Sequence, residues 1–286
     1  MEDKYSKALK DNAFNLSDKE VSEKVNKQIA EKAEENNTID VLRELYSFID
    51  LTTLNTTDTR EHIWQFTDKV NKFEGSNPLI KNVAAVCVFP NLVKTVKESL
   101  TADVKIASVC GGFPSSQTFL EVKIAETALA ISDGADEIDI VMNLGLFLNN
   151  DIAELCEEID EIKEACHGAT LKVILETGAL ETAEKINNAS VLALYSGADF
   201  LKTSTGKSYP GATLEAAYVM CHAIKSYYKK TGIKKGVKIS GGVSTVKDAV
   251  NYYTIVKEVL GEEWCNQDLF RIGTSRLANI LLEAAE

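Results

Sequence analysis

The chain has 286 residues, 45% of them hydrophobic, and 43 acidic against 31 basic side chains give it a formal net charge of −12. That balance excludes an extended nucleic-acid surface, which needs clustered positive charge to displace counterions from phosphates, so an anionic ligand must be held by a local positive site. The length and apolar content allow one large core, and a single α/β barrel is as compatible with them as two smaller domains.

The first residues, MEDKYSKALKDN, are charged and lack the apolar stretch of a signal peptide, and no later run is long enough to span a bilayer. Cys87, Cys110, Cys156, Cys166, Cys221 and Cys265 are scattered without a CxxC pair. This is the pattern of reduced thiols, and a cytoplasmic location is expected. The segment NLSDKEVSEKVNKQIAEKAEENN predicts a helix with a capping box from Ser17 to Glu20 and a narrow apolar stripe at Val21, Val25 and Ile29. Residues 1–44 are therefore expected to form a helical extension, packed across the bottom of the main domain or at a subunit contact, with residues 45–286 as the catalytic domain.

Eight runs rich in Val, Ile and Phe follow in chain order: FIDLTTL, AAVCVFP, VKIASVCGGF, DEIDIVMN, LKVILET, DFLKTST, GVKISGG and FRIGTS. Most are separated by amphipathic stretches long enough for a crossover helix, several ending on Gly, a common C-cap. Apolar strands alternating with helices imply a parallel sheet, and eight units spaced roughly 30 residues apart predict a (β/α)8 TIM barrel. A doubly wound open sheet is disfavoured because the first strand-to-helix turn lacks G-x-G-x-x-G.

Ionic residues within these strands are unusual. Asp50, Asp139, Lys172, Lys202 and Lys238 fall in the first, fourth, fifth, sixth and seventh runs. Side chains alternate along a strand, so Phe200, Lys202 and Ser204 share one face. If that face is the barrel interior, Lys202 and Lys238 crowd each other in poorly solvated space, and both effects favour a neutral amine, a nucleophile toward carbonyls. Asp139 is placed to pair with Lys238 and keep it charged. An interior salt-bridge network with no catalytic role fits the residue types as well. TSTGK after the sixth strand, SGG after the seventh and GTS after the eighth set small residues with free N–H groups side by side, where barrels commonly hold phosphate. Any one of these loops alone reads as an ordinary glycine turn. His62, His167 and His222 fall in helical or connecting segments, so surface or helix-packing roles are expected and no metal site is.

DFLKTSTGK, GVKISGGV, GADEIDIV, LKVILETG, FIDLTTL and AAVCVFP resemble the segments of the deoxyribose-phosphate aldolase family, over about residues 45–280. The resemblance implies reversible retro-aldol cleavage of 2-deoxy-D-ribose 5-phosphate to acetaldehyde and glyceraldehyde 3-phosphate, in deoxyribonucleoside catabolism, without metal or cofactor. Lys202 would form the Schiff base, Lys238 would tune it and Asp139 would relay protons. Asp50 and Thr52 match positions lining the sugar pocket, Lys172 a lysine that holds Asp139 or nearby groups, and Cys87 a non-catalytic cysteine near the aldehyde. The phosphate would sit among Gly206, Lys207, Gly241, Gly242, Gly273 and Ser275. Ser244 stands where other members place an arginine, Arg276 where they place a serine, and the C-terminus lacks the tail tyrosine of some relatives, so enamine protonation is expected to rely on Asp139, Lys238 and water. A homodimer or higher homo-oligomer is implied. A Schiff-base lyase using a keto donor and a non-catalytic phosphosugar-binding barrel are the competing expectations.

Overall fold

The computed structural model describes residues 4–285. The outermost residues of the expected two-part division, 1–3 and 286, lie outside the described residues. Eight strands, β1 (Ile49–Thr52), β2 (Ala85–Val88), β3 (Lys105–Cys110), β4 (Glu137–Val141), β5 (Thr170–Ile174), β6 (Phe200–Lys202), β7 (Gly236–Ser240) and β8 (Phe270–Thr274), pair in sequence order, all parallel, and β8 closes on β1. The alternation of strands and helices thus resolves into a closed (β/α)8 barrel rather than an open sheet.

The helices are α1 (Lys4–Asp11), α2 (Asp18–Lys32), α3 (Ile39–Ser47), α4 (Arg60–Phe73), α5 (Val93–Ser99), α6 (Leu120–Ser132), α7 (Leu144–Leu148), α8 (Ile152–Ala165), α9 (Thr177–Leu180), α10 (Ala183–Tyr195), α11 (Leu214–Thr231), α12 (Val246–Leu260) and α13 (Leu277–Ala285). Outward strand residues such as Val86, Ile138, Leu171, Leu201, Val237 and Ile272 are fully buried, as expected of a sheet covered by helices.

The predicted helix at the N-terminus is α2, and its capping box is present, with Ser17 N–H donating to Glu20 Oε2 at 2.8 Å and Glu20 N–H donating to Ser17 Oγ at 3.4 Å. It does not cross the barrel bottom: α2 lies on the outer layer against α11 and α12. Val21 and Val25 are buried there, while Asp18 accepts from the Ala183 N–H at 2.7 Å and Ser22 donates to Glu215 at 3.2 Å. A narrow stripe flanked by short polar side chains fits a groove between two neighbouring helices better than a broad apolar floor.

The barrel interior is divided chemically. Ala85, Cys87, Ala107 and Val109 of β2 and β3, with Leu54, form a small apolar cluster. The inward positions of the other strands carry charge, and that half builds the site.

Candidate active site

Register brings the ionic residues together. Lys202 is the Cα partner of Lys238, Lys238 of Arg271, and Asp139 of Lys172, so side chains from the five consecutive strands β4 to β8 meet at similar depth. Asp139 is the hub. Its Oδ1 accepts from Lys172 Nζ at 2.9 Å, and its Oδ2 accepts from both Lys202 and Lys238 at 2.7 Å. Below it, Asp50 contacts Lys238 at 2.5 Å and Arg271 at 2.6 Å, while Glu137 contacts Lys172 at 2.5 Å and receives the Arg271 guanidinium at 2.9 and 3.2 Å. Arg271 Nε also donates to the Gln267 carbonyl.

Counting charges decides which amine gives way. Lys172, Lys202, Lys238 and Arg271 face Asp50, Glu137 and Asp139, four cations against three carboxylates, all buried. An uncompensated buried charge is costly, so the neutral state of the cluster has one deprotonated amine. Burial pulls Lys202 below the ordinary lysine range; Asp139 pushes back and Lys238 adds to the fall. Burial pulls on Lys238 too, but there Asp139 and Asp50 together overcome it and raise it. Lys172 is likewise raised, and burial of Asp139 is outweighed by its three lysines, which hold it well below the carboxylate range. Lys202 is thus the amine of the cluster that deprotonates most readily, and it is also the lysine of the cluster that reaches the cavity.

That cavity, about 630 Å³, opens at the C-terminal ends of β1, β6, β7 and β8. Lys202, Thr52, Gly206, Lys207, Gly241, Gly242, Gly273 and Ser275 all line it, together with Ser244 and Arg276. Gly206, Gly241 and Gly242 have φ of +70°, +83° and +89°, a conformation that turns successive N–H groups toward one side and that residues with a Cβ rarely adopt. No hydrogen bond within the described residues takes up the N–H groups of Gly206, Gly241, Gly242 or Ser275. The Ser244 and Thr245 N–H groups, in contrast, are already held by Asp248 at 3.2 and 3.0 Å. Lys207 reaches over the mouth and donates to the Leu54 carbonyl at 2.6 Å.

Two of the residues expected to bind substrate do not line this cavity. Asp50 and Lys172 are fully buried beneath the cavity and contact the ionic cluster. Inward positions lie two residues apart along a strand, so Thr52 occupies the upper layer and Asp50 the one below it. Cys87 is buried in the apolar half, where burial raises its thiol. Glu137 and Arg271 were not anticipated; their signal was the same alternation, since Glu137 stands two residues before Asp139 and Arg271 two before Gly273. His62 has the expected surface position, its side chain 48% exposed, and there it lines the cavity mouth and pairs with Asp58 at 2.9 Å. His222 does pack between Phe14 and Tyr218.

The chain is 42% identical over 243 residues to deoxyribose-phosphate aldolase from Homo sapiens, covering 81% of this chain and 76% of that protein. It is 42% identical over 241 residues to the enzyme of the same name from Bos taurus, covering 80% and 76%. The solved structure of a tetrameric deoxyribose phosphate aldolase from Aeropyrum pernix superimposes with a TM-score of 0.68 at 25% identity, covering 90% of this chain and 97% of that one. The model of the DeoC/LacD family of aldolases matches residues 45–280, which includes every strand of the barrel. The chain belongs to the DeoC/LacD aldolase family, and it is an enzyme of the lyase class.

Proposed function

We propose that this chain cleaves 2-deoxy-D-ribose 5-phosphate reversibly to acetaldehyde and D-glyceraldehyde 3-phosphate through a Schiff base on Lys202, in deoxyribonucleoside catabolism. The observation that carries the reading is a buried amine, the odd cation in a cluster of four against three carboxylates, on the floor of a cavity rimmed by backbone N–H groups that have no partner among the described residues. An amine nucleophile and an anion nest in one cavity suit a phosphorylated aldehyde, and the names of the relatives agree with that substrate.

Neutral Lys202 Nζ attacks the C1 carbonyl carbon of the open-chain sugar, and the oxygen takes a proton to give a carbinolamine. Loss of water leaves the iminium. Asp139 Oδ2 bridges Lys202 and Lys238 at 2.7 Å to each, so a proton can pass between the two amines across a single oxygen, with bound water reaching the substrate. A base removes the 3-hydroxyl proton, the C2–C3 bond breaks, and its electron pair moves to C2 to give an enamine, the iminium nitrogen becoming neutral. Glyceraldehyde 3-phosphate leaves. Protonation at C2 and addition of water release acetaldehyde and restore the amine. Asp50, Glu137, Lys172 and Arg271 hold Asp139 and Lys238 in place, while Gly206, Lys207, Gly241, Gly242, Gly273 and Ser275 receive the phosphate.

Borohydride reduction in the presence of acetaldehyde, followed by peptide mass mapping, tests the assignment. The adduct is expected on Lys202, and an adduct on another lysine overturns it. Cleavage of the phosphosugar in EDTA, with acetaldehyde compared against dihydroxyacetone and pyruvate as donors, separates this activity from keto-donor lyases and from a binding protein.

The chain is further read as a cytoplasmic homo-oligomer. Among the described residues no helix is long and apolar enough to cross a membrane. Phe119, Val122 and Leu129 form an exposed apolar row at helical spacing along α6, 78%, 50% and 68% exposed, a face suited to a second copy. Light scattering should give a mass above one chain, and Leu129→Glu should lower it; a monomer at micromolar concentration refutes the assembly.

A further inference from the structure

The loop after β1 carries a histidine–aspartate pair that the retro-aldol steps leave unused. Asp58 is nearly buried, its side chain 2% exposed, and its carboxylate collects the donors of the loop around it. Thr53 Oγ1 donates at 2.7 Å, the Asn55 N–H at 3.0 Å and Asn55 Nδ2 at 3.2 Å, while His62 Nδ1 lies 2.9 Å away. Burial opposes its charge, but these hydrogen bonds hold the carboxyl below its ordinary range. An ionised carboxylate only accepts, so Nδ1 of His62 carries a hydrogen and the ring presents Nε2 as its second polar edge.

His62 lines the same cavity as Lys202 and Lys207. Leu51 of β1 pairs with Thr274 of β8, so the first turn of α4 stands beside the loop that carries Ser275 and Arg276. The loop knotted by Asp58 also supplies the Leu54 carbonyl that accepts Lys207 at 2.6 Å. One carboxylate therefore fixes both the histidine and the anchor of the phosphate-site lysine, although Lys207 comes from β6, three strands around the barrel. A hydrogen-bond donor on this wall would complete an anion site whose charges, Lys207 and Arg276, come from the loops after β6 and β8.

We propose that His62 is a phosphate-recognition residue, positioned by Asp58, whose Nε2–H donates to an oxygen of the sugar phosphate while Lys207 exchanges the Leu54 carbonyl for that same group. The inference rests on the reading that the site takes a phosphorylated sugar. With Nδ1 held by Asp58, the ring meets the phosphate through Nε2, and a hydrogen bond from the ring to either anion is charge-assisted. The charged groups sharing its surroundings are Asp58 from its own loop, Lys207 and Arg276 from the other walls and Lys202 at the cavity floor.

In the unmodified protein labelled with ¹⁵N in its three imidazoles, inorganic phosphate should shift the Nε2 resonance of His62, assigned by its disappearance in His62→Gln. His62→Phe should bind inorganic phosphate about 10- to 100-fold more weakly, the effect of losing one hydrogen bond to a charged group. The ratio of kcat/KM for 2-deoxyribose 5-phosphate to that for 2-deoxyribose should fall by a similar factor, mostly through KM, and Asp58→Asn should fall between. Phosphate that leaves the His62 resonance unmoved, or a variant that loses equally on both sugars, overturns the inference. Failure of the underlying reading looks different: the wild type would then give no borohydride adduct with acetaldehyde, whatever phosphate does to His62.

Discussion

Removing the charge of Lys238 should raise the pKa of Lys202 by two routes that act in the same direction. The two amines share Asp139 Oδ2 at 2.7 Å each, so deleting one ammonium removes a like charge from beside the other. The charge count agrees, because without Lys238 the three carboxylates are balanced only when Lys172, Arg271 and Lys202 are all protonated. The chemistry needs the neutral amine and is lost as pH falls through the Lys202 pKa, so Lys238→Met should move the acid limb of the kcat/KM profile to higher pH. Turnover should be poor near neutrality and partly recover in alkali. A profile from pH 5 to 10 checks this, and an acid limb that stays in place would show that Lys238 does not tune Lys202. Lys202 and Lys238 were legible in the sequence because an ammonium in an apolar strand is anomalous whatever the fold. Glu137 and Arg271 were less so: each sits at the edge of its apolar run, where a charge also reads as the start of a loop. His62 was hidden for another reason, since a residue in the first turn of a helix faces a cavity only through the packing of that helix on the barrel.

The loops after β6 and β7 act as one element because two glycines let their backbones touch. A Cβ built on Gly211 would lie 2.3 Å from the Gly241 carbonyl oxygen and 2.5 Å from its carbon, and the Ala212 N–H donates to that oxygen at 2.9 Å. The obstacle is backbone on both sides, so no rotamer change can relieve it. Gly211→Ala should therefore displace the Gly241–Gly242 turn, raising KM for the phosphosugar more than it lowers kcat, and overpacking should lower stability by about 1–3 kcal/mol. Steady-state kinetics with urea denaturation measures both, and unchanged KM would mean that the turn does not bind phosphate. At this scale the sequence was informative wherever a pattern repeated. Eight apolar runs joined by helical stretches allow few arrangements besides a closed barrel, and a capping box marks where α2 begins. The site against which α2 packs was not legible, because a stripe of Val21, Val25 and Ile29 states that one face is covered without naming what covers it.

For the molecule as a whole, the ionic interior ties folding to pH with a sign that follows from the direction of each shift. In Asp50, Glu137 and Asp139 burial is outweighed by the surrounding cations, and all three lie below their ordinary values. Such groups contribute stability that is present above their unfolded pKa of about 4 and is lost as pH falls through the folded values, because each protonation strands a cation in the barrel. Lys172, Lys238 and Arg271 are raised and behave oppositely: their contribution is present below about 10.4 for the lysines, higher for the arginine, and is lost as pH rises through the folded values. Lys202, being lowered, gains stability as pH rises between its folded value and about 10.4. His222, which burial lowers to about 4, also contributes, its stability being lost as pH falls from about 6.5 toward that value, so the urea midpoint should begin to decline near pH 6 and fall steeply below about pH 4. The surface carries the net charge of −12, and its self-repulsion is screened by salt, whereas the buried pairs are screened much less. Midpoints measured from pH 8 to 3 with and without 0.5 M sodium chloride, a concentration at which the screening length is about 4 Å, separate the two sources. An acid transition that persists in salt belongs to the buried groups, and one that salt abolishes would assign the pH dependence to the surface instead.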